Sequence, residues 1–224
     1  YDVFGVNHLG DWGTQFGKLI VAYKEWGSEQ ELENNPIQCL LQLYVKFHEE
    51  AKKNPGLEDQ ARAEFKKLED GNKESIALWE SFKELSLKEF HRVYNILDVK
   101  FDSFHGEGFY NNLLESAIVH IDKKAGTKMS DGALIVDLEK QGMPPLMLRK
   151  SDGASTYHTR DVAAALYRIK KYKPEKIIYV VGSEQKLHFQ QLFKVMELAG
   201  VDKNKFVHVD FGLFRFPDGK MSTR

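Results

Sequence analysis

Ile177-Ile178-Tyr179-Val180-Val181-Gly182-Ser183-Glu184-Gln185 decides the fold. Its apolar run ends on a glycine, the pattern of a parallel strand covered on both faces. A helix is expected over residues 185–198, then a short strand at Phe206-Val207-His208-Val209. Upstream, residues 113–124 read as helix and Ala133-Leu134-Ile135-Val136 as strand. Leu146-Met147-Leu148 and Ser155-Thr156-Tyr157 read as a strand pair around the turn Ser151-Asp152-Gly153, with residues 162–171 helical after it. Alternation of strand and helix predicts βαβ units in a doubly wound sheet, an α/β fold.

The texture changes N-terminal to Val99. Over residues 28–97 the chain is helical and rich in Lys and Glu. Asn35 as N-cap with Pro36 at the first helical position opens a segment whose Ile37, Leu40, Leu41, Tyr44, Val45 and His48 fall at helical spacing. Leu57, Ala61, Phe65 and Leu68 make a second stripe, and Ile76, Trp79, Phe82 and Leu85 a third. Ser86-Leu87-Lys88-Glu89 has capping-box spacing and predicts a fourth helix through Phe90, Val93 and Leu97. The charges are most simply the solvated faces of these helices, nucleic-acid contact by some lysines being the second reading. Residues 1–27 hold a short extended opening, the turn Asn7-His8-Leu9-Gly10-Asp11-Trp12-Gly13-Thr14-Gln15-Phe16-Gly17, and an apolar helix.

Composition narrows the function classes. Lys and Arg number 32 against 33 Asp and Glu, which excludes a broad cationic nucleic-acid coat and an acidic disordered tail but leaves room for a local basic patch. Hydrophobic residues at 42% and charged residues at 29% describe an ordinary globular chain. One cysteine, Cys39, excludes an internal disulfide and points to a reducing, cytoplasmic compartment. It sits in an apolar run, as an inert core thiol does. No stretch approaches the ~20 apolar residues of a membrane span, so no membrane partner is expected. The sequence begins without Met and stops just after Lys220-Met221-Ser222, and is expected to be part of a longer protein.

Four loci carry candidate chemistry. Ligands of open parallel sheets bind beyond the carboxyl ends of strands, where helix N-termini aim their N–H groups. Gly182 stands at such an end, and Gln185 and His188, three apart, share a helix face there. On spacing alone the same residues also fit a tight turn with a surface His and Gln. Tyr157-His158-Thr159-Arg160-Asp161 occupies a second strand-to-helix junction, with the helix expected near Thr159 and Tyr157 just outside it. A carboxylate beside a phenol suits a planar cation, while capping by Thr159 with Asp161 favouring the helix dipole is the simpler explanation of the pattern taken alone. Glu107, between Gly106 and Gly108, is by itself an acidic loop residue. Phe216-Pro217-Asp218-Gly219-Lys220-Met221-Ser222 is a turn that delivers a lysine and a serine suited to phosphate oxygens.

Taken together these segments resemble the catalytic domain of class I aminoacyl-tRNA synthetases, and among them the arginyl-tRNA synthetases. Residues 7–17 are the most specific match. Tyr157-His158-Thr159-Arg160-Asp161 is similar to the family's arginine-site segment, Gly182-Ser183-Glu184-Gln185 with His188-Phe189 to its late nucleotide-site strand and helix, and Lys220-Met221-Ser222-Thr223-Arg224 to the second class I signature. The ending Thr223-Arg224 departs from the general Lys-Ser in the manner of arginine enzymes. The first signature, a His-Ile-Gly-His-like tetrapeptide, does not occur in the chain.

The resemblance implies a partial Rossmann-like catalytic core, formed by residues 1–27 and 98–224, with a helical insertion at 28–97. It implies arginine binding by Glu107, Tyr157, Asp161 and Gln185. Gly182, His188 and Met221 would border ATP, and Lys220 and Ser222 would hold its phosphates as the catalytic pair. Mg²⁺ would arrive with ATP, with no protein metal site, and tRNA would be bound through domains mostly outside this chain. The implied activity is ATP-dependent attachment of arginine to tRNA through arginyl-adenylate, with the isolated fragment expected to be inactive. The rival readings are another class I synthetase, a non-catalytic arginine- or adenylate-binding module, and a helical interaction scaffold. For residues 7–17 the resemblance assigns no role beyond shaping the floor of the site.

Overall fold

The computed structural model describes residues 1–212 and the backbone of 215–216 and 219–220. The chain divides into two compact units, the first Tyr1–Gly108 and the second beginning at Phe109.

In the first unit an extended N-terminal stretch runs beside residues 102–107, with a parallel bridge between Val6 and Ser103. Helices α1 (Thr14–Trp26), α2 (Glu29–Asn34), α3 (Pro36–Lys53), α4 (Gly56–Glu69) and α5 (Lys73–Ile96) follow. Ser28 caps α2 through the Glu31 N–H, and Asn72 caps α5 through that of Ser75. Pro36 does open α3, as its fixed φ suits. The buried stripe of α3 is Cys39, Leu40, Leu43 and Phe47, whereas Leu41 and Val45 of the expected stripe are exposed. Cys39, Leu43 and Phe47 repeat every fourth residue, so they and Leu40 form the face turned to Ile20, Val21, Ala61 and Phe82.

The two helices expected over 73–97 are one. The Ser86 hydroxyl donates to the Phe82 carbonyl at 2.7 Å, one turn back along α5, instead of capping a new helix. Bonding back into its own helix leaves the ladder unbroken.

The second unit is α/β. Helix α6 (Leu114–Ala125) leads into an antiparallel sheet in the order β1 (Lys128–Ser130), β2 (Ala133–Val136), β3 (Leu146–Arg149). β1 carries no apolar run and was not foreseen from the sequence. Helix α7 spans Tyr157–Tyr172, and β4 (Ile177–Gly182), α8 (Lys186–Leu198) and β5 (Phe206–Phe211) form one βαβ unit with the two strands parallel. An antiparallel hairpin pairs β6 (Arg215–Phe216) with β7 (Gly219–Lys220). The core gathers Tyr110, Ile121, Leu138, Leu146, Leu148, Val162, Leu192 and Met196 from helices and strands alike.

Three expectations change here. α7 begins at Tyr157, so the second strand of the predicted pair shrinks to a single bridge, Arg149 to Ser155. Thr159 is buried inside the first turn of α7, its hydroxyl spent on the Leu148 carbonyl. β4 is covered on one face only: Ile177 and Tyr179 are buried, while Ile178 and Val180 are 59% and 65% exposed. The alternation of side chains along a strand accounts for the split.

Candidate active site

At the N-terminus of α7 the second unit gathers a polar cluster. Asp161 lies one turn into the helix, and its Oδ2 is 2.7 Å from His188 Nε2 on the first turn of α8. A carboxylate only accepts, so Nε2 carries the hydrogen. His188 is buried, turned into this bond rather than displayed at the surface. Tyr157 stacks on His158 with centroids 4.1 Å apart and 28° between planes, and stands 5.1 Å from the His188 ring. Tyr157 is half exposed, which leaves much of its ring open. Gln185 is the exposed N-cap residue of α8, beyond the carboxyl end of β4 and one turn before His188. The cluster therefore offers an oriented carboxylate beside an exposed aromatic ring, at two helix N-termini.

Two turns further along α7, Arg168 is buried at 8% exposure. Its guanidinium carbon lies 5.9 Å from the Tyr110 ring centre and 5.7 Å from that of Tyr179. Burial opposes its charge, but Tyr179 and Tyr110 more than offset this and hold its pKa above the ordinary value. Burial pushes the Tyr179 hydroxyl up to about 12. Arg168 is not among the residues that sequence pattern singles out. Its seven-residue spacing from Asp161, which puts both on one helix face, was the available signal.

His158 is driven the other way. Burial, with the neighbouring His188 adding to it, lowers its pKa from 6.5 to about 4, against the opposing pull of Asp161. Its Nδ1 and that of His188 have no hydrogen-bond partner among the described residues. A pH dependence follows. Between pH 6.5 and 4 an unfolded His158 holds a proton that the folded one does not, so the unfolded state binds more protons there. Stability from this group is complete above pH 6.5 and falls as pH drops toward 4. Melting temperatures of wild type and His158→Gln between pH 7 and 4 check this: the wild type should lose more than the variant, and parallel curves would refute the assignment.

Glu107 belongs to the first unit, where it opens a 3₁₀ segment, Glu107–Leu113. Its N–H donates to the Leu9 carbonyl at 2.9 Å. The backbone of Gly182 ends β4, and that of Lys220 lies in β7. Met221, Ser222 and the side chain of Lys220 lie outside the described residues. Among the described residues no group of three His, Cys, Asp or Glu is placed to hold a metal ion, and no helix is long and apolar enough to cross a membrane.

Residues 1–224 match the family described as tRNA synthetases class I (R), catalytic domain. The chain belongs to that family. Arginine–tRNA ligases of Clostridium perfringens and Clostridium beijerinckii are 56% and 57% identical to it over its whole length. The chain spans 40% of the length of each. Among solved structures, arginyl-tRNA synthetase from Plasmodium falciparum superposes with a TM-score of 0.77 at 31% identity, covering 94% of this chain and 36% of that one. The Thermus thermophilus arginyl-tRNA synthetase gives the same TM-score, 0.77, at 18% identity, covering 99% of this chain and 43% of that one, a likeness of fold. This class I synthetase catalytic domain mixes helices and strands, as the sequence led one to expect, but its described strands β1 to β5 form a three-stranded antiparallel sheet and a separate parallel pair with one crossover helix instead of a doubly wound sheet.

Proposed function

We propose that the protein to which this domain belongs attaches arginine to tRNA at the expense of ATP, in the cytoplasm. The observation that carries the reading is Asp161: a carboxylate oriented by His188, beside the open face of Tyr157, in a chain whose close relatives are arginine–tRNA ligases. A guanidinium is planar and offers paired donors, so it suits a carboxylate held at fixed orientation with a flat wall alongside. In this reading residues 28–97 are a helical insertion in a Rossmann-like core formed by residues 1–27 and 98–224.

Tyr157, Asp161, Gln185 and Glu107 hold the arginine. Gly182, His188 and Met221 border ATP, which brings its Mg²⁺ as part of the substrate, and Lys220 and Ser222 meet the phosphates. The arginine carboxylate attacks the α-phosphorus and pyrophosphate departs, giving arginyl-adenylate. A terminal ribose hydroxyl of tRNA then attacks the adenylate carbonyl, forming the ester and releasing AMP. No protein nucleophile is needed, and the chain's contribution is positioning and charge stabilisation.

The full-length protein, assayed for pyrophosphate exchange in the presence of tRNA, should respond to arginine and not to lysine, whose ammonium is a point charge. Exchange supported by an aliphatic amino acid and not by arginine would overturn the reading.

A further inference from the structure

Residues 7–17 are the most specific stretch of this sequence, and neither the site cluster nor the reaction scheme uses them. The structure gives them a task at Glu107. The Glu107 N–H donates to the Leu9 carbonyl at 2.9 Å, and the next N–H, that of Gly108, donates to Asp11 Oδ1 at 2.8 Å. A methyl group placed on Gly10 would stand 3.9 Å from Glu107 Oε1, so the carboxylate folds over Gly10. Leu9 and Asp11 therefore hold the backbone at the Glu107 amide and at the following one, with the carboxylate lying near Gly10.

Asp11 is itself fixed. It is 6% exposed, and its carbonyl accepts the Trp79 indole N–H at 2.6 Å. Lys83 Nζ lies 3.9 Å from Asp11 Oδ2 and 4.0 Å from the centre of the Trp79 ring. The Trp12 ring packs edge-on against Trp79 with centroids 5.3 Å apart. The fit on the Glu107 side is close. A Cβ at Gly106 would fall 2.5 Å from Asp11 Oδ1 and 2.6 Å from the Leu9 carbonyl oxygen, so only glycine lets the two segments approach this far. A buried carboxylate is costly unless it is hydrogen-bonded and charge-compensated. Here that cost is met by a hydrogen bond from the amide that follows Glu107 and, at longer range, by the Lys83 ammonium.

We propose that Asp11 is a positioning residue for substrate recognition: through the Gly108 amide it sets the direction in which Glu107 presents its carboxylate to the arginine guanidinium. The proposal rests on the reading of Glu107 as an arginine ligand. It gives the motif a specific consequence, since a misplacement of about 1 Å at a binding carboxylate can cost as much as ~10²-fold.

The test uses the full-length protein and the arginine and ATP dependence of tRNA charging. Asp11→Ala removes the acceptor and should raise the arginine KM about tenfold or more while the ATP KM changes less than about twofold. Asp11→Asn keeps a carbonyl oxygen at the same place and should restore most of the loss, which a purely ionic role for Asp11 would not allow. Because Asp11 acts through Glu107, the double variant Asp11→Ala/Glu107→Gln should have the arginine KM of Glu107→Gln alone.

An unchanged arginine KM in Glu107→Gln overturns the ligand reading and this proposal with it. If Glu107→Gln weakens arginine but Asp11→Ala does not, raises both KM values alike, or adds to Glu107→Gln in the double variant, the proposal alone is overturned. Should Asp11→Ala fail to fold, Trp79→Phe decides. Losing the indole donor while keeping an aromatic ring should raise the arginine KM selectively, and no change would overturn the proposal.

Discussion

Asp161→Asn in the full-length protein should weaken arginine binding by ~1.5–3 kcal/mol, the range for a charge-assisted hydrogen bond. That is a rise in the arginine KM of about 10- to 150-fold, with the ATP KM little changed. The substitution keeps the shape of the side chain, and the amide oxygen can still accept the His188 Nε2–H that meets Asp161 at 2.7 Å. The two rings and the first turn of α7 are therefore left in place, and what is removed is the charge. Asp161 is also mostly shielded, its side chain 15% exposed, so water screens its field less than it would at an open surface. The arginine dependence of charging is the measurement. A variant with wild-type KM for arginine would show that Asp161 serves only to hold His188.

Part of this was legible in the sequence and part was not, for reasons that lie in particular residues. The apolar run at Ile177 and the helix after it announced themselves because a parallel pair with a crossover helix needs little besides local pattern. The coverage of β4 was not legible, since Ile178 and Val180 are as apolar as Ile177 and only the packing separates them. The start of α7 was missed by two residues because Thr159 has the chemistry of a cap. Its hydroxyl is drawn to the Leu148 carbonyl by tertiary contact instead. Ser86 was misread in the same way, a capping-box residue that bonds back into its own helix. The pairing of Asp161 with His188 spans 27 positions, and spacing on one helix could not reveal a partner on another. The spacing of residues 7–17 assigns Asp11 no task, because its partner is a backbone amide 97 positions away.

Gly17→Ala should destabilise the first unit by about 3 kcal/mol, although alanine is the better helix former. On propensity alone the change would gain about 1 kcal/mol within α1. Geometry reverses the sign. A Cβ at Gly17 would lie 2.0 Å from the Ala61 carbonyl oxygen and 3.0 Å from Phe65 Cβ, so it meets the backbone of α4, which cannot rotate away as a side chain would. The helices must part, and the contacts of Ile20 and Val21 with Leu57 and Ala61 loosen with them. Trp12 lies at the base of α1 with its ring edge-on to Phe65, centroids 5.8 Å apart, so the disturbance reaches the residue beside Asp11. All three tryptophans, Trp12, Trp26 and Trp79, belong to the first unit. Tryptophan fluorescence during denaturant unfolding therefore reads this unit directly, and the midpoint should fall with little change in slope. A midpoint at or above that of the wild type would mean that α1 and α4 do not pack through this glycine.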